Sequence, residues 1–324
     1  MKKITPIVCF CLIAAILFLT PIAYSKASKE DEFPLSTEEY KMILSLWQID
    51  TFDGGVGSRG DYLSDLCLDF AKKGVYVMVS SYTVEGAKEK IEKGTLPDII
   101  SFGIGAPFVS EYAAKLSSTD FTGGEIMGET YAVPWCRGGY FLISKNEVNE
   151  HIDRLIVSKS AYNNPLAALF YSKYRAESCD IKESMAAVSE YLKTDGGVLL
   201  GTQRDVWRLI KRGVEFKAFP LEKFCDLYQY LAVTSIDKER FDKAKEVVDY
   251  ICAESGENLR KVGMLPISGN FYEEPLGRYV TSNTEYTVSP FTATEILTET
   301  SEFLNGLKSE NEIEQKLKNI VKHL

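Results

Sequence analysis

Histidine is nearly missing from this sequence. Two occur in 324 residues, His151 and His323, which nearly removes histidine-based acid–base catalysis and histidine metal sites. Cysteine is present but has no pattern. There are seven and no CxxC; setting aside Cys9 and Cys11 near the start leaves Cys67, Cys136, Cys179, Cys225 and Cys252. An odd number without paired spacing is neither a disulfide framework nor a zinc site, so most of these thiols read as small buried hydrophobes. Positive charge is in deficit: 37 Lys and Arg stand against 46 Asp and Glu, a net charge of −9. An acidic chain without a basic stripe is a poor partner for nucleic acid or anionic lipid. The sequence also lacks a nucleophile elbow, a metal box and a paired-acid motif, and it holds no repeat or low-complexity segment.

What is present begins with a targeting pattern. Lys2-Lys3 precedes an apolar stretch over 4–24, and Ala23-Tyr24-Ser25 or Ser25-Lys26-Ala27 offers small residues for cleavage. Residues 1–27 read as a signal peptide for export; an uncleaved signal anchor is the alternative, since the run approaches the length of a membrane span. Val8 and Phe10 precede Cys9 and Cys11, where a lipoprotein site wants a small residue. Residues 29–32, Lys-Glu-Asp-Glu, read as a solvated leader.

With 45% hydrophobic residues the remainder can bury a sizeable core, and its length suggests about two domains. KMILSLWQ (41–48) reads as a buried strand, DTFDGGVGSRG (50–60) as a turn, and Ser58 as the cap of a helix carrying Tyr62, Leu63, Leu66, Cys67 and Phe70 on one face. VYVMVSS (75–81) and DIISFG (98–103) are strands around a helix from Thr83 to Lys93 that Gly94 ends. This alternation predicts a parallel sheet with helices on both faces. A second unit follows YAVPWCRGGYFLIS (131–144), where Pro134 is expected to end a first strand. It contains helical stretches near 161–175 and 180–193, a strand, turn and helix in GGVLLGTQRDVWRLIKRG, and a strand in VEFKAF. DLYQYLAVTS reads as an extended return segment and 237–268 as two helices, the first with Phe241, Ala244, Val247, Val248 and Ile251 as its stripe. The stretch 266–290 is expected to be a long loop and 293–324 two amphipathic helices broken near Gly306. Ligands of parallel α/β units bind at the carboxyl ends of strands. Trp47 and Trp135 are placed at strand ends and Trp207 at the opening of a helix, so all three point to a cleft.

LWQIDTFDGGVGSRGDYLSDLCLDFAKK, GTLPDIISFG, ETYAVPWCRGGYFLISK and YLAVTSIDKERFDKAKEVVDYICAESGENLRKVGMLPIS, in this order over most of 41–268, resemble the extracellular solute-binding proteins of carbohydrate ABC importers, the family that includes maltose-binding protein. The resemblance implies an α/β, two-lobe periplasmic-binding-protein fold of type II, with hinge strands and an interlobe cleft. It places lobe 1 at 36–135 and 227–275 and a reduced lobe 2 at 136–226 and 276–324, with YAVPW as the crossing strand and CRGGY as the first cleft-facing turn beyond it. It implies a binding protein that is not an enzyme, exported to the cell surface or periplasm; a monomer is expected because the amphipathic tail helices have a lobe to pack on. Such a chain binds a small solute, a sugar or oligosaccharide, and delivers it to membrane permease subunits, without a cofactor or metal.

A sugar offers C–H faces to aromatic rings and hydroxyls to planar charged groups. Trp47, Trp135 and Trp207 are the expected platforms, with Tyr140 and Tyr228 behind them. Arg137, Gln203, Arg204 and Asp205 are the expected hydrogen-bonders, joined from the first lobe by Asp50, Asp53 and Arg59. An anionic ligand would use the arginines as readily. A sensor of the same fold reporting to a membrane receptor, a decayed homologue that no longer closes, and an exported glycan-active enzyme with Asp50, Asp53 and Asp205 as its acids are the competing readings.

Overall fold

The computed structural model describes residues 41–52, 54–116, 123–160, 162–234, 237–269, 272, 284–291 and 321–323. The expected signal segment and leader, Asp53 and most of the tail lie outside them.

Strand β1 (Met42–Ile49) is flanked by β2 (Val75–Tyr82) and β3 (Ile99–Phe102), all parallel. Helix α1 (Arg59–Ala71) joins β1 to β2, and α2 (Val84–Glu92) joins β2 to β3. The sequence explains both helices. Ser58 Oγ accepts from Asp61 N, Thr83 Oγ1 accepts from Gly86 N, and Gly74 and Gly94 stop the chain with φ of +84° each. Tyr62, Leu63, Leu66, Cys67 and Phe70 are buried as their spacing predicts. A hairpin, β4 (Glu125–Ile126) and β5 (Glu129–Thr130), precedes β6 (Val133–Arg137). β14 (Tyr228–Val233) returns antiparallel between β3 and β6, completing a first sheet in the order β2-β1-β3-β14-β6.

The second sheet takes β7 (Tyr140–Ser144), β9 (Leu155–Lys159), β11 (Cys179–Glu183), β12 (Val198–Thr202) and β13 (Lys217–Pro220) in the order β11-β9-β12-β7-β13. Two short strands, β8 (His151–Ile152) and β10 (Arg175–Ala176), pair beside it. Its helices are α3 (Pro165–Phe170), α4 (Ser184–Lys193) and α5 (Gln203–Lys211). The last long helix, α6 (Lys238–Glu254), packs on α1 and β14 through Ala244, Val247, Val248 and Ile251; Phe241 is only half-buried.

Strand direction fixes how the sheets meet. β6 runs parallel to β1–β3, and its last residue, Arg137, stands opposite Tyr228, the first of β14. β7 runs antiparallel to β12, so Tyr140 stands opposite Thr202 at the end of β12. Both connections, 138–139 and 221–227, therefore link the carboxyl ends of the two parallel sets. Gly138 N donates to Leu227 O at 2.6 Å and Leu221 N to Tyr140 O at 2.9 Å, tying the connections together.

Several expectations need correcting. Pro134 does not end a strand; it lies inside β6, where the register shifts between Gln229 and Tyr230. β6 is the sheet's edge, the position where a missing N–H is tolerated. The glycines of CRGGY, expected to tolerate unusual dihedrals and close approach, serve only the second, since neither Gly138 nor Gly139 has positive φ. Gly138 is needed because a Cβ there would lie 2.7 Å from Gln203 Oε1 and 2.9 Å from Leu227 Cβ. Residues 180–183, the start of the stretch expected as helix, belong instead to β11, because β9 offers them a free edge. The expected helix at 161–175 is confined to α3, and the second helix after α6 is a 3-10 turn, Glu257–Val262. Within the expected loop, β15 (Tyr286–Val288) pairs with β16 (Val321–His323), part of the tail expected to be helical.

The five described cysteines form no disulfide with one another. Burial pushes the Cys67 and Cys252 thiols up to about 12, Cys179 to about 11 and Cys136 higher still.

Candidate functional site

At the carboxyl end of β1 the chain leaves the sheet through Asp50 and returns at Ser58, the cap of α1. A cavity of about 430 Å³ lies there, lined by Asp50, Phe52, the 54–58 loop and Arg59, and on its far side by Arg204. Arg204 is the second residue of α5, from the second sheet, so the cavity is shared between the two halves.

Arg59 organises it. Its side chain is buried, and Nε and Nη2 donate to Asp50 Oδ1 at 3.0 and 2.6 Å. Nη2 also donates to Phe52 O at 2.8 Å, and the guanidinium lies 4.4 Å from the centre of the Phe52 ring. Nη1 has no hydrogen-bond partner among the described residues. Gln48 Nε2 adds a third donor to Asp50 Oδ1 at 3.1 Å. The Asp50 side chain remains 54% exposed, so a fixed carboxylate is presented to the cavity.

The loop beneath is glycine-rich for a steric reason. Val56 N donates to Val262 O at 2.8 Å, and a Cβ on Gly55 would lie 1.8 Å from that same oxygen. Backbone meets backbone here, which only glycine permits. Gly263, at φ +65°, ends the 3-10 turn, and the Trp207 ring rests on it: a Cβ there would be 3.0 Å from Trp207 Nε1. Trp207 also meets Tyr272 edge-on at 6.0 Å, and its Nε1 is buried without a partner among the described residues. Trp207 sits in the middle of α5, not at its opening, and is the tryptophan that reaches across to the first half.

Of the twelve residues expected at the site, Asp50, Arg59 and Arg204 line this cavity and Trp207 adjoins it. Asp53 lies outside the described residues. The remaining seven are brought to the same region but turned inward. Trp47, 4% exposed, packs on Tyr82 at 4.8 Å. Trp135, 2% exposed, stacks on Tyr62 at 5.7 Å and donates Nε1–H to Ser101 Oγ at 3.1 Å. Neither ring is among the residues that line the cavity.

Arg137 is spent on structure, donating to Pro266 O and Thr284 Oγ1. Gln203 accepts from Gly139 N at 3.0 Å and braces the first connection. Asp205 is fully buried and completes a capping box with Thr202. Tyr140 donates to Asp226 Oδ1 at 2.6 Å, while Asn164 donates N–H and Nδ2–H to Asp226 Oδ2 at 2.9 and 2.8 Å. Burial pushes the Asp226 carboxyl up, and those hydrogen bonds pull it back. Tyr228 is buried, its hydroxyl pushed up to about 12.

Sequence reasoning passed over Phe52 and the 54–58 loop. Their signal was the glycine density of DGGVGSRG directly before a helix cap. Asp50 is the one carboxylate among the described lining residues and is already paired with Arg59. Two opposed acids, the equipment of a glycosidase, are not found among them.

No family model matches the sequence, and neither does any curated protein. Among solved structures the chain is similar to the GacH receptor of Streptomyces glaucescens, solved unliganded and with acarbose. The identity is 15% and the TM-score 0.55, over 86% of this chain and 98% of that one. It is similar to the maltose-maltodextrin binding protein of Alicyclobacillus acidocaldarius at 13% identity and TM-score 0.54, over 86% and 99% of the two chains. Iron-bound HitA from Pseudomonas aeruginosa is matched at 12% identity and TM-score 0.54, over 81% and 99%. At such identities the likeness establishes the fold: two α/β lobes of the type II periplasmic-binding-protein class.

Proposed function

We propose that this chain is the extracytoplasmic solute-binding component of an ABC importer, holding a small carbohydrate between its lobes and passing it to membrane permeases. The observation that carries the reading is the shared cavity: a carboxylate fixed by Arg59 on one side and Arg204 on the other. Neighbouring sugar hydroxyls both donate and accept, so Asp50 takes their protons and Arg204 supplies donors, with the Phe52 ring beside them. The similarity to the acarbose- and maltodextrin-binding structures supports the carbohydrate class. Two arginines against one aspartate favour a second reading, a sugar bearing an acidic group.

On this reading the lobes divide near 36–135 with 227–275 and 136–226 with 276–324, residues 1–27 direct export, the chain acts as a monomer, and it turns nothing over. The second sheet has five described strands, as many as the first, which supports a second lobe able to close.

The test is thermal unfolding against a panel of neutral and acidic mono- and oligosaccharides, with tryptophan emission followed in parallel. A ligand at ~1,000 times its dissociation constant adds about 4 kcal/mol to stability, a rise of several degrees. Since Trp47 and Trp135 are enclosed, Trp207 is expected to carry the emission change. Trp207→Phe should abolish that change while a thermal shift remains. Absence of a shift with every saccharide would sink the carbohydrate reading and leave the fold standing.

A further inference from the structure

The four outer strands of the two large sheets are not alike. β6 carries Pro134 and a register shift, β13 carries Lys217 and Pro220, and β11 carries Asp180, Lys182 and Glu183. Proline, irregular register and charge keep an exposed edge from pairing with another chain. β2 has none of them. Its eight residues, VYVMVSSY, contain no charge, proline or glycine, and no described strand pairs with its outer side.

The surfaces flanking this edge are uncharged as well. Tyr62 and Phe70 turn one flank of α1 toward α6, the Tyr62 hydroxyl donating to Ser255 O at 3.5 Å and Phe70 meeting Tyr250 at 5.2 Å. By helical spacing the opposite flank, on the β2 side, presents Ser64 and half-buried Leu68, while exposed Asp61, Asp65 and Asp69 point away from the sheet. On the sheet's other face Met78 is 52% exposed, and Ile43, which stands opposite Tyr76, is 48% exposed.

We propose that β2 is a pairing edge for a second copy of this chain, the two β2 strands joining antiparallel about a two-fold axis so that one first sheet continues into the other. Met78 lies near the middle of the strand, so the axis brings the two Met78 side chains together, with Tyr76 and Ile43 of both copies around them. It also sets Lys72 and Lys73, just before one strand, toward Glu85, just after the other. Charge favours a second copy over a foreign partner. With a net charge of −9 the chain repels its own kind over most of its surface, and a foreign partner would be drawn by that charge to another face. The uncharged edge is where two like chains can meet, in a contact that closes on itself. Antiparallel pairing points the carboxyl ends of the two first sheets, and so the two cavities, in opposite directions. At most one paired copy can face a given membrane surface, and the single chain remains the unit that delivers solute. The pairing goes beyond the carbohydrate reading and does not depend on which solute binds.

The experiment therefore uses no ligand. Sedimentation velocity of the exported form, residues 28–324, is followed from micromolar to submillimolar concentration. The expected result is a single-chain species that gives way to a two-chain species as concentration rises. Met78→Lys should weaken that association about tenfold or more, because the axis sets the two new charges side by side. Leu192→Lys, at an exposed apolar residue of α4, should leave it unchanged. Unfolding temperatures matching that of the starting protein would show both variants folded. As a second measure, Met78→Cys should give an inter-chain disulfide on oxidation that the starting protein does not give. A single-chain species at every concentration, association that Met78→Lys leaves intact, or open-ended aggregates would each overturn the pairing, whether or not any sugar is found to bind.

Discussion

Trp135→Ala is expected to cost the protein roughly 3–5 kcal/mol, the range for removing a large aromatic side chain from a packed core. The indole is enclosed between Tyr62 on α1 and Ser101 on β3. Its removal empties space that the β6–β14 pair and α1 cannot both move to fill, and it takes from the Ser101 hydroxyl one of its two donors, leaving Gln229 Nε2. Chemical denaturation should show a lower midpoint at an unchanged slope. Where the variant is still folded, its affinity for any solute found should stay close to the starting value. A variant of full stability that has lost binding would return Trp135 to the cleft surface and contradict the packing described above.

Asp205→Ala is the second large effect. The buried carboxylate accepts from Ser158 Oγ at 2.8 Å, Ser184 Oγ at 3.2 Å, Thr202 N at 3.1 Å and Arg208 Nη1 at 2.9 Å. It thereby gathers β9, α4, β12 and α5 onto one side chain. Removing one partner of a buried charged network costs about 3–5 kcal/mol, because the groups left behind are desolvated and unpaired. Its neighbour Arg204 provides the contrast. Arg204→Ala is expected to cost less stability than Asp205→Ala, because Arg204 is only half-buried while Asp205 is fully buried at the centre of its network, and to weaken solute binding. Urea titrations of the two variants, read beside their binding curves, test the division. Equal losses of stability would mean that Arg204 is structural too.

That two adjacent residues should behave so differently shows where sequence reading stopped. The periodic parts of the fold were legible. Ser58, Thr83, Gly74 and Gly94 punctuate the first lobe, and the apolar stripe of α6 is nearly as its spacing predicts. The crossing was legible too, because Pro134, Trp135, Arg137 and two glycines interrupt an apolar pattern. What could not be read was which way the polar residues at that crossing point. Gln203 is committed to Gly139, Tyr140 to Asp226, and Arg137 to Pro266. Each partner is distant along the chain. A polar side chain near a cleft has the same local sequence whether it faces solvent or braces the backbone, and only the tertiary partner decides. β11 failed for a related reason, since its pairing with β9 overrides a local composition that favours helix.

The cysteines carry a practical consequence. Thiol-reactive dyes attack the thiolate, and at neutral pH Cys67, Cys136, Cys179 and Cys252, with thiols raised to about 11 or above, hold almost none. A cysteine introduced on each lobe, for example at exposed Met78 and Met185, would take donor and acceptor fluorophores in a chain beginning after Cys11 with the native buried and half-buried thiols left in place. The distance between the two dyes would then follow opening and closing one molecule at a time.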